Sequence, residues 1–122
     1  MMPRFVVLRH DLPNRCPRDS HWDLMLEESD SLLTWAIAES PRPGMWVKAE
    51  PLPEHRIEYL DYEGPVSNDR GMVKQWDRGE FDWVEATDTR IEVLLRGEQL
   101  NGTAKLHRPS TAHGWRLMID SK

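Results

Sequence analysis

The sequence predicts a mainly β fold, a compact antiparallel β-barrel with one or two short helices. Nine prolines are spread over the 122 residues, and at that spacing they leave room for short strands and turns but for few long helices. Short apolar or alternating segments recur with turn signals every ~8–12 residues, which is typical of an antiparallel barrel or sandwich. Closure into a barrel would also remove the unpaired edges of the sheet.

The first two predicted strands have the clearest patterns. Residues 4–10 are β-branched and apolar, and residues 21–27 alternate strictly, so His21, Asp23 and Met25 point away from Trp22 and Leu24. Leu32–Ala38 is predicted as the hairpin partner of the second strand, and the segment 55–62 fits either a strand or a helical turn. A hairpin turn is predicted at Asp77-Arg78-Gly79. The other predicted strands are Met45–Ala49, Gly71–Trp76, Glu80–Val84, Ile91–Arg96, Gly102–Arg108 and Trp115–Ile119.

Length and composition predict one domain over residues 1–122 and a cytoplasmic location. The single cysteine, Cys16, cannot form an intramolecular disulfide, which suits a reducing compartment. The apolar run 5–8 is shorter than a secretory core, and no segment approaches the ~20 apolar residues of a membrane span. A formal net charge of −5 argues against a protein that coats duplex DNA, but it allows local recognition of one phosphate.

Three side chains near the N-terminus form a candidate metal site. Residues two apart on a strand share a face, so His21 and Asp23 project side by side, and antiparallel pairing of the first two strands would bring His10 close to His21. Two imidazoles and one carboxylate leave coordination positions open for water and substrate. The pattern is weakly specific in a chain with five histidines, and the alternative is a strand-end His10 beside a surface pair.

The remaining histidines, the cysteine and the tryptophans are less informative about function. His55, beside Arg56, fits a phosphate contact or a solvent-facing loop, while His107 and His113 are expected at the surface. Cys16 fits a bystander loop residue better than a reactive thiol. The six tryptophans fit core packing better than base stacking.

The motifs of this chain resemble, in order and over nearly its whole length, the 3′-phosphoesterase domain of bacterial DNA ligase D. The first matches are RFVV at residues 4–7, HD at 10–11 and HWDLMLE at 21–27. Further matches are LTWAI at 33–37, HRIEYLDYEG at 55–64, WDRG at 76–79 and the closing segment from LNG at 100–102 to WRLMI at 115–119.

The resemblance implies a β-barrel that binds manganese or a similar divalent ion, with zinc, cobalt and nickel as alternatives. The ligands fall on His10, His21 and Asp23, and a phosphate-contacting histidine and tyrosine fall on His55 and Tyr59. The implied activity is removal of a 3′-phosphate or 3′-ribonucleotide from DNA ends during repair. The implied partners are a DNA 3′ end and end-repair ligase or polymerase proteins.

Two departures from the family pattern lie close to these motifs. The arginine of the family's DLRLE motif is Met25 here, and methionine cannot replace a bidentate cation. The loop 67–71 is shortened. Arg9, Arg56 and Arg70 are the candidate phosphate-binding cations, of which Arg56 or Arg70 would supply the lost charge from another direction.

The alternatives to an active phosphoesterase are a metal-binding module that recognises a nucleic-acid end or a partner protein, and a metal-free β-barrel interaction module.

Overall fold

The computed structural model describes residues 2–14, 16, 18–67, 69–109 and 114–121, and it confirms the predicted mainly β, antiparallel class. One short 3-10 helix, η1, spans Ile57–Leu60. The strands are β1 (Arg4–Asp11), β2 (His21–Glu28), β3 (Ser31–Ile37), β4 (Val47–Arg56), β5 (Gly64–Pro65), β6 (Met72–Ala86), β7 (Arg90–Gly97), β8 (Asn101–His107) and β9 (Trp115–Ser121).

The strands pair in the order β1-β2-β3-β4-β9-β8-β7-β6, and β1 also pairs with β6. The pairings therefore close into a ring, and the two-residue β5 adds to β6 at Met72 and Val73. Strand β1 has a hydrogen-bonded neighbour on each side as a result. In the described residues, no helix is long and apolar enough to cross a membrane.

Strands β1 and β2 contribute to two apolar clusters because their side chains alternate between two faces. Phe5, Val7, Leu24 and Leu26 join the main core, to which β3, β4 and β6–β9 also contribute. The opposite face carries a second cluster, which is covered by η1 and its neighbours. The buried members of this second cluster are Val6, Leu8, Met25, Leu32, Leu60 and Val73.

The predicted turn at Asp77-Arg78-Gly79 is wrong, because this segment lies inside the continuous strand β6. The Asp77 side chain is buried and accepts backbone hydrogen bonds from Glu98, Gln99 and Leu100 at 2.8–3.0 Å. Asp77 was predicted to form a turn within its own segment. It instead holds the turn between β7 and β8 through these hydrogen bonds. Gly97 is required beside it, since a Cβ there would lie 2.5 Å from Asp77 Oδ2.

The predicted bounds also differ from the observed ones around β4 and η1. The strand predicted at Met45–Ala49 begins at Val47 and continues to Arg56, so His55 ends a strand. The segment 55–62, which fitted a strand or a helical turn, contains both the end of β4 and η1. Two prolines, Pro51 and Pro53, are accommodated within β4.

Candidate metal centre and phosphate cleft

The pairing of β1 with β2 brings His10, His21 and Asp23 together. His10 is the direct cross-strand partner of His21, and their ring centroids are 5.0 Å apart. Asp23 follows two residues later on the same face of β2. One nitrogen of each histidine and one oxygen of Asp23 all lie within 4.8 Å of one another. This is the arrangement expected from strand alternation and antiparallel pairing.

Backbone carbonyls orient both imidazole rings. Nε2 of His10 lies 2.7 Å from the carbonyl oxygen of Arg70, and Nδ1 of His21 lies 2.9 Å from that of Asp19. We therefore assign the ring protons to these two nitrogens. The other nitrogens, Nδ1 of His10 and Nε2 of His21, then present lone pairs to Asp23, at 3.6 and 3.0 Å from its oxygens.

The Asp23 carboxylate is buried, with 2% of the residue exposed. Burial opposes its ionisation, but contacts with His10 and His21 outweigh that effect and lower the pKa of Asp23. Burial likewise opposes protonation of His21, and its contact with Asp23 raises the pKa of that ring. No described residue donates a hydrogen bond to Oδ1 of Asp23. With both rings neutral, two imidazole lone pairs face a buried carboxylate, and either protonation of a ring or a cation between the three groups relieves their repulsion. The donor set therefore fits a divalent metal.

The triad lies in a cleft of about 550 Å³. The end of β4 and η1 contribute His55 and Tyr59 to the same cleft, although they follow the triad by more than thirty residues in the sequence. Nδ1 of His55 lies 2.9 Å from the carbonyl of Pro53, and its ring contacts the Tyr59 ring edge to face. The carbonyl contact leaves Nε2 of His55 available to a ligand.

Among the described residues, three arginines line the cleft, and two of them are among the three predicted ones. Arg56 and Arg70 do line it. Arg9 does not, because it neighbours His10 on β1 and so points to the opposite face, where its guanidinium lies 4.1 Å from the Trp22 ring centroid. The third cleft cation is Arg18, which sequence reasoning missed.

Met25 lies in the same cleft, two residues beyond Asp23 on the same face of β2. Only 1% of the residue is exposed, because it packs in the second apolar cluster beside Leu8 and Leu60. The position at which the family pattern has arginine is therefore an apolar floor in this chain. Leu52, Val66 and Val73 extend the apolar lining.

The remaining histidines lie away from this cleft or outside the described residues. His107 is partly exposed, contacts Glu92 at 3.0 Å and packs on Trp46. His113 lies outside the described residues. Cys16 lines the cleft, with Sγ 3.9 Å from the carbonyl of Asp69.

Residues 10–108 match the family model described as the DNA Ligase D 3′-phosphoesterase domain. The multifunctional non-homologous end joining protein LigD of Pseudomonas aeruginosa is 30% identical over 117 residues, which cover 86% of this chain. The corresponding protein of Mycobacterium bovis is 27% identical over 113 residues, which cover 85% of this chain. The chain spans 13% and 14% of the lengths of these two relatives.

Proposed function

Because the chain belongs to the DNA ligase D 3′-phosphoesterase domain family, we propose that it is a divalent-metal-dependent phosphoesterase. Its substrates would be 3′ ends of DNA from which a 3′-phosphate or a 3′-ribonucleotide is removed during end repair. The observation that supports this best is the buried Asp23 oxygen, to which no described residue donates a hydrogen bond, beside two imidazole nitrogens. These groups share their cleft with His55, Tyr59 and cationic side chains.

His10, His21 and Asp23 would hold the ion, for which manganese is the first candidate and zinc, cobalt and nickel are the alternatives. When bound, such an ion polarises a phosphoryl oxygen and lowers the pKa of a coordinated water. The fixed ring orientations of His10 and His21 would keep their unprotonated nitrogens facing the ion, as outer-shell hydrogen bonds do in metal sites.

His55 is the proposed proton donor or phosphate ligand of this site. Its Nδ1 proton is directed to the Pro53 carbonyl, which leaves Nε2 facing the cleft. When the ring is doubly protonated, Nε2–H would donate to a phosphoryl oxygen or deliver its proton to the leaving oxygen. The edge contact with Tyr59 fixes the plane of the His55 ring. The Tyr59 ring is held in turn by Tyr62, which leaves its hydroxyl to orient the phosphoryl group.

Metal removal tests the proposal most directly. Purified protein treated with a chelator is expected to lose turnover of a primer with a 3′-phosphate or 3′-ribonucleotide end, and added manganese is expected to restore it. An ion at ~100 times its dissociation constant also stabilises the fold by about 2.7 kcal/mol, which a thermal unfolding scan detects. Full turnover in the chelated protein would contradict the proposal.

Substitution of His55 should separate catalysis from metal binding. His55→Ala is expected to lower kcat about 10²–10⁴-fold, because this is the usual contribution of a general acid or base, while the metal content stays unchanged. Tyr59→Phe should have a smaller effect in the same direction. His107→Ala is the matched control, since His107 lies outside the cleft. Equal losses for His55→Ala and His107→Ala would remove His55 from the mechanism.

A second candidate function is a metal-binding module that recognises a nucleic-acid end without cleaving it. The observation that favours it is Met25, which leaves the floor of the cleft without a cation. Metal-dependent binding of a 3′-phosphorylated strand with no turnover would establish this alternative. In either role we propose a cytoplasmic protein that works beside end-repair ligase or polymerase proteins, because its relatives are named for non-homologous end joining.

A further inference from the structure

The charges around the cleft are unevenly distributed between its floor and its rim. Next to Asp23, the floor is formed by Met25, which is buried, and by apolar neighbours such as Val73. These side chains cannot donate a hydrogen bond to an anion. Among the described residues, a phosphate beside the triad would therefore meet cationic side chains only from the rim.

The described rim arginines differ in their partners, and Arg18 is the one that is closely paired with a carboxylate. The Arg18 guanidinium contacts both carboxylate oxygens of Glu50, at 2.9 and 3.3 Å. Arg56 is mostly exposed, and its Nε lies 3.9 Å from Glu58. Arg70 donates through Nε to the carbonyl of Ser67 at 2.9 Å. The two carboxylates lower the net positive charge that an anionic ligand would experience, above all at Arg18.

This charge balance distinguishes between two classes of phosphate ester. A phosphomonoester carries about −1.5 to −2 charges at pH 7, whereas a phosphodiester carries about one. The second ester group of a diester also replaces a charged oxygen with a neutral, partly apolar substituent. A site with an apolar floor and a rim cation neutralised by Glu50 thus suits the diester better, because it leaves less negative charge without a partner.

From these observations we infer that the cleft selects phosphodiesters, such as the bond to a 3′-terminal ribonucleotide, over 3′-phosphomonoesters, with Met25 and the Arg18–Glu50 pair as the specificity determinants. This inference rests on the proposed phosphoesterase function. In the reaction, the oxygen of water forms a bond to phosphorus and one P–O ester bond breaks. The leaving oxygen takes up a proton, so no oxidant or further reactant is required.

The first test compares two primers of identical sequence, one ending in a 3′-ribonucleotide and the other in a 3′-phosphate. The manganese-loaded protein is expected to show a kcat/KM at least about tenfold higher for the ribonucleotide end, the scale of one hydrogen bond to a charged group. Equal values, or a preference for the 3′-phosphate, would overturn the inference while leaving the phosphoesterase function intact. Turnover of neither primer would overturn the proposed function, and the inference with it.

Two substitutions test the named determinants. Glu50→Gln removes the carboxylate from Arg18 at an exposed position, and it should raise kcat/KM for the 3′-phosphate several-fold more than for the ribonucleotide end. Met25→Arg places a cation in the floor of the cleft. It should raise the ratio of kcat/KM for the 3′-phosphate to kcat/KM for the ribonucleotide end by about tenfold. Met25→Leu and Glu85→Gln are the controls, the latter because Glu85 is paired with Arg90 outside the cleft.

Equilibrium binding gives a readout that does not depend on turnover. With metal-free protein, fluorescence anisotropy of the two labelled primers should show that Met25→Arg and Glu50→Gln tighten binding of the 3′-phosphate strand more than that of the ribonucleotide-ended strand. Since Glu50 lies at the surface, its variant keeps the test decisive if Met25→Arg fails to fold. If the folded variants bind the two strands with the same affinity ratio as the unmodified protein, Met25 and the Arg18–Glu50 pair are not specificity determinants.

Discussion

Asp23→Ala is expected to abolish both metal binding and turnover. The Asp23 carboxylate is the acidic member of the triad and is almost fully buried. No other described carboxylate is grouped with the two imidazoles. Loss of an outer-shell partner alone lowers metal affinity about 10–100-fold, and a lost ligand should cost more. An ion contributes several kcal/mol to transition-state stabilisation, so turnover should fall by about a thousandfold or more. Elemental analysis and primer turnover measure the two losses.

Asp11→Ala is the matched control for this substitution. Asp11 directly follows His10 on β1, but its side chain is exposed and paired with Arg9 at 2.9 Å. Its removal should leave the metal content and turnover near those of the unmodified protein. Retention of metal and activity in Asp23→Ala would show that the triad is not the metal site, and a thermal scan of the metal-free variant excludes simple unfolding as the cause of a loss.

Asp77→Ala is expected to cause the largest loss of stability of any single substitution discussed for this chain. The Asp77 carboxylate accepts four backbone hydrogen bonds, from Arg78, Glu98, Gln99 and Leu100, at 2.8–3.0 Å. Alanine would remove this shared acceptor, and the loss is most costly at the buried Leu100 amide, because an unsatisfied buried group costs about 1–3 kcal/mol. We expect the free energy of unfolding to fall by about 3–5 kcal/mol, as measured by urea denaturation.

Two further variants separate this role from a general charge effect. Asp77→Asn keeps one oxygen acceptor but turns an NH₂ group toward a backbone donor, so its loss of stability should be intermediate. Asp82→Ala removes an exposed carboxylate from the same strand, where it pairs with Arg96, and its effect should be much smaller. Similar unfolding free energies for Asp77→Ala and Asp82→Ala would contradict the assigned role of Asp77.

The sequence was sufficient to predict the local geometry of the triad. Alternation along residues 21–27 placed His21 and Asp23 on one face, and the register of β1 with β2 pairs His10 with His21 as expected. The same alternation directs Arg9, the neighbour of His10 on β1, to the opposite face and away from the cleft. The presence of a metal, and its identity, remain predictions.

Features that join distant parts of the chain were not predictable in the same way. The pattern Asp77-Arg78-Gly79 predicts a turn in the wrong place, because the residues that the Asp77 side chain binds in the β7–β8 turn lie more than twenty residues later. Arg18 and Glu50 are likewise distant in sequence, and no local pattern marks their pairing. The carbonyls of Asp19 and Arg70 that orient the histidines belong to the backbone and leave no residue-type signature.

The closed ring also has a consequence for the order in which the chain assembles. The three triad residues emerge from the ribosome close together and belong to one local pair of strands, β1 and β2. Ring closure instead joins Arg4 to Glu80, a long-range contact with a high loop-closure cost. We therefore expect that an ion bound by the nascent chain would stabilise the pairing of β1 with β2 before β6 has been synthesised.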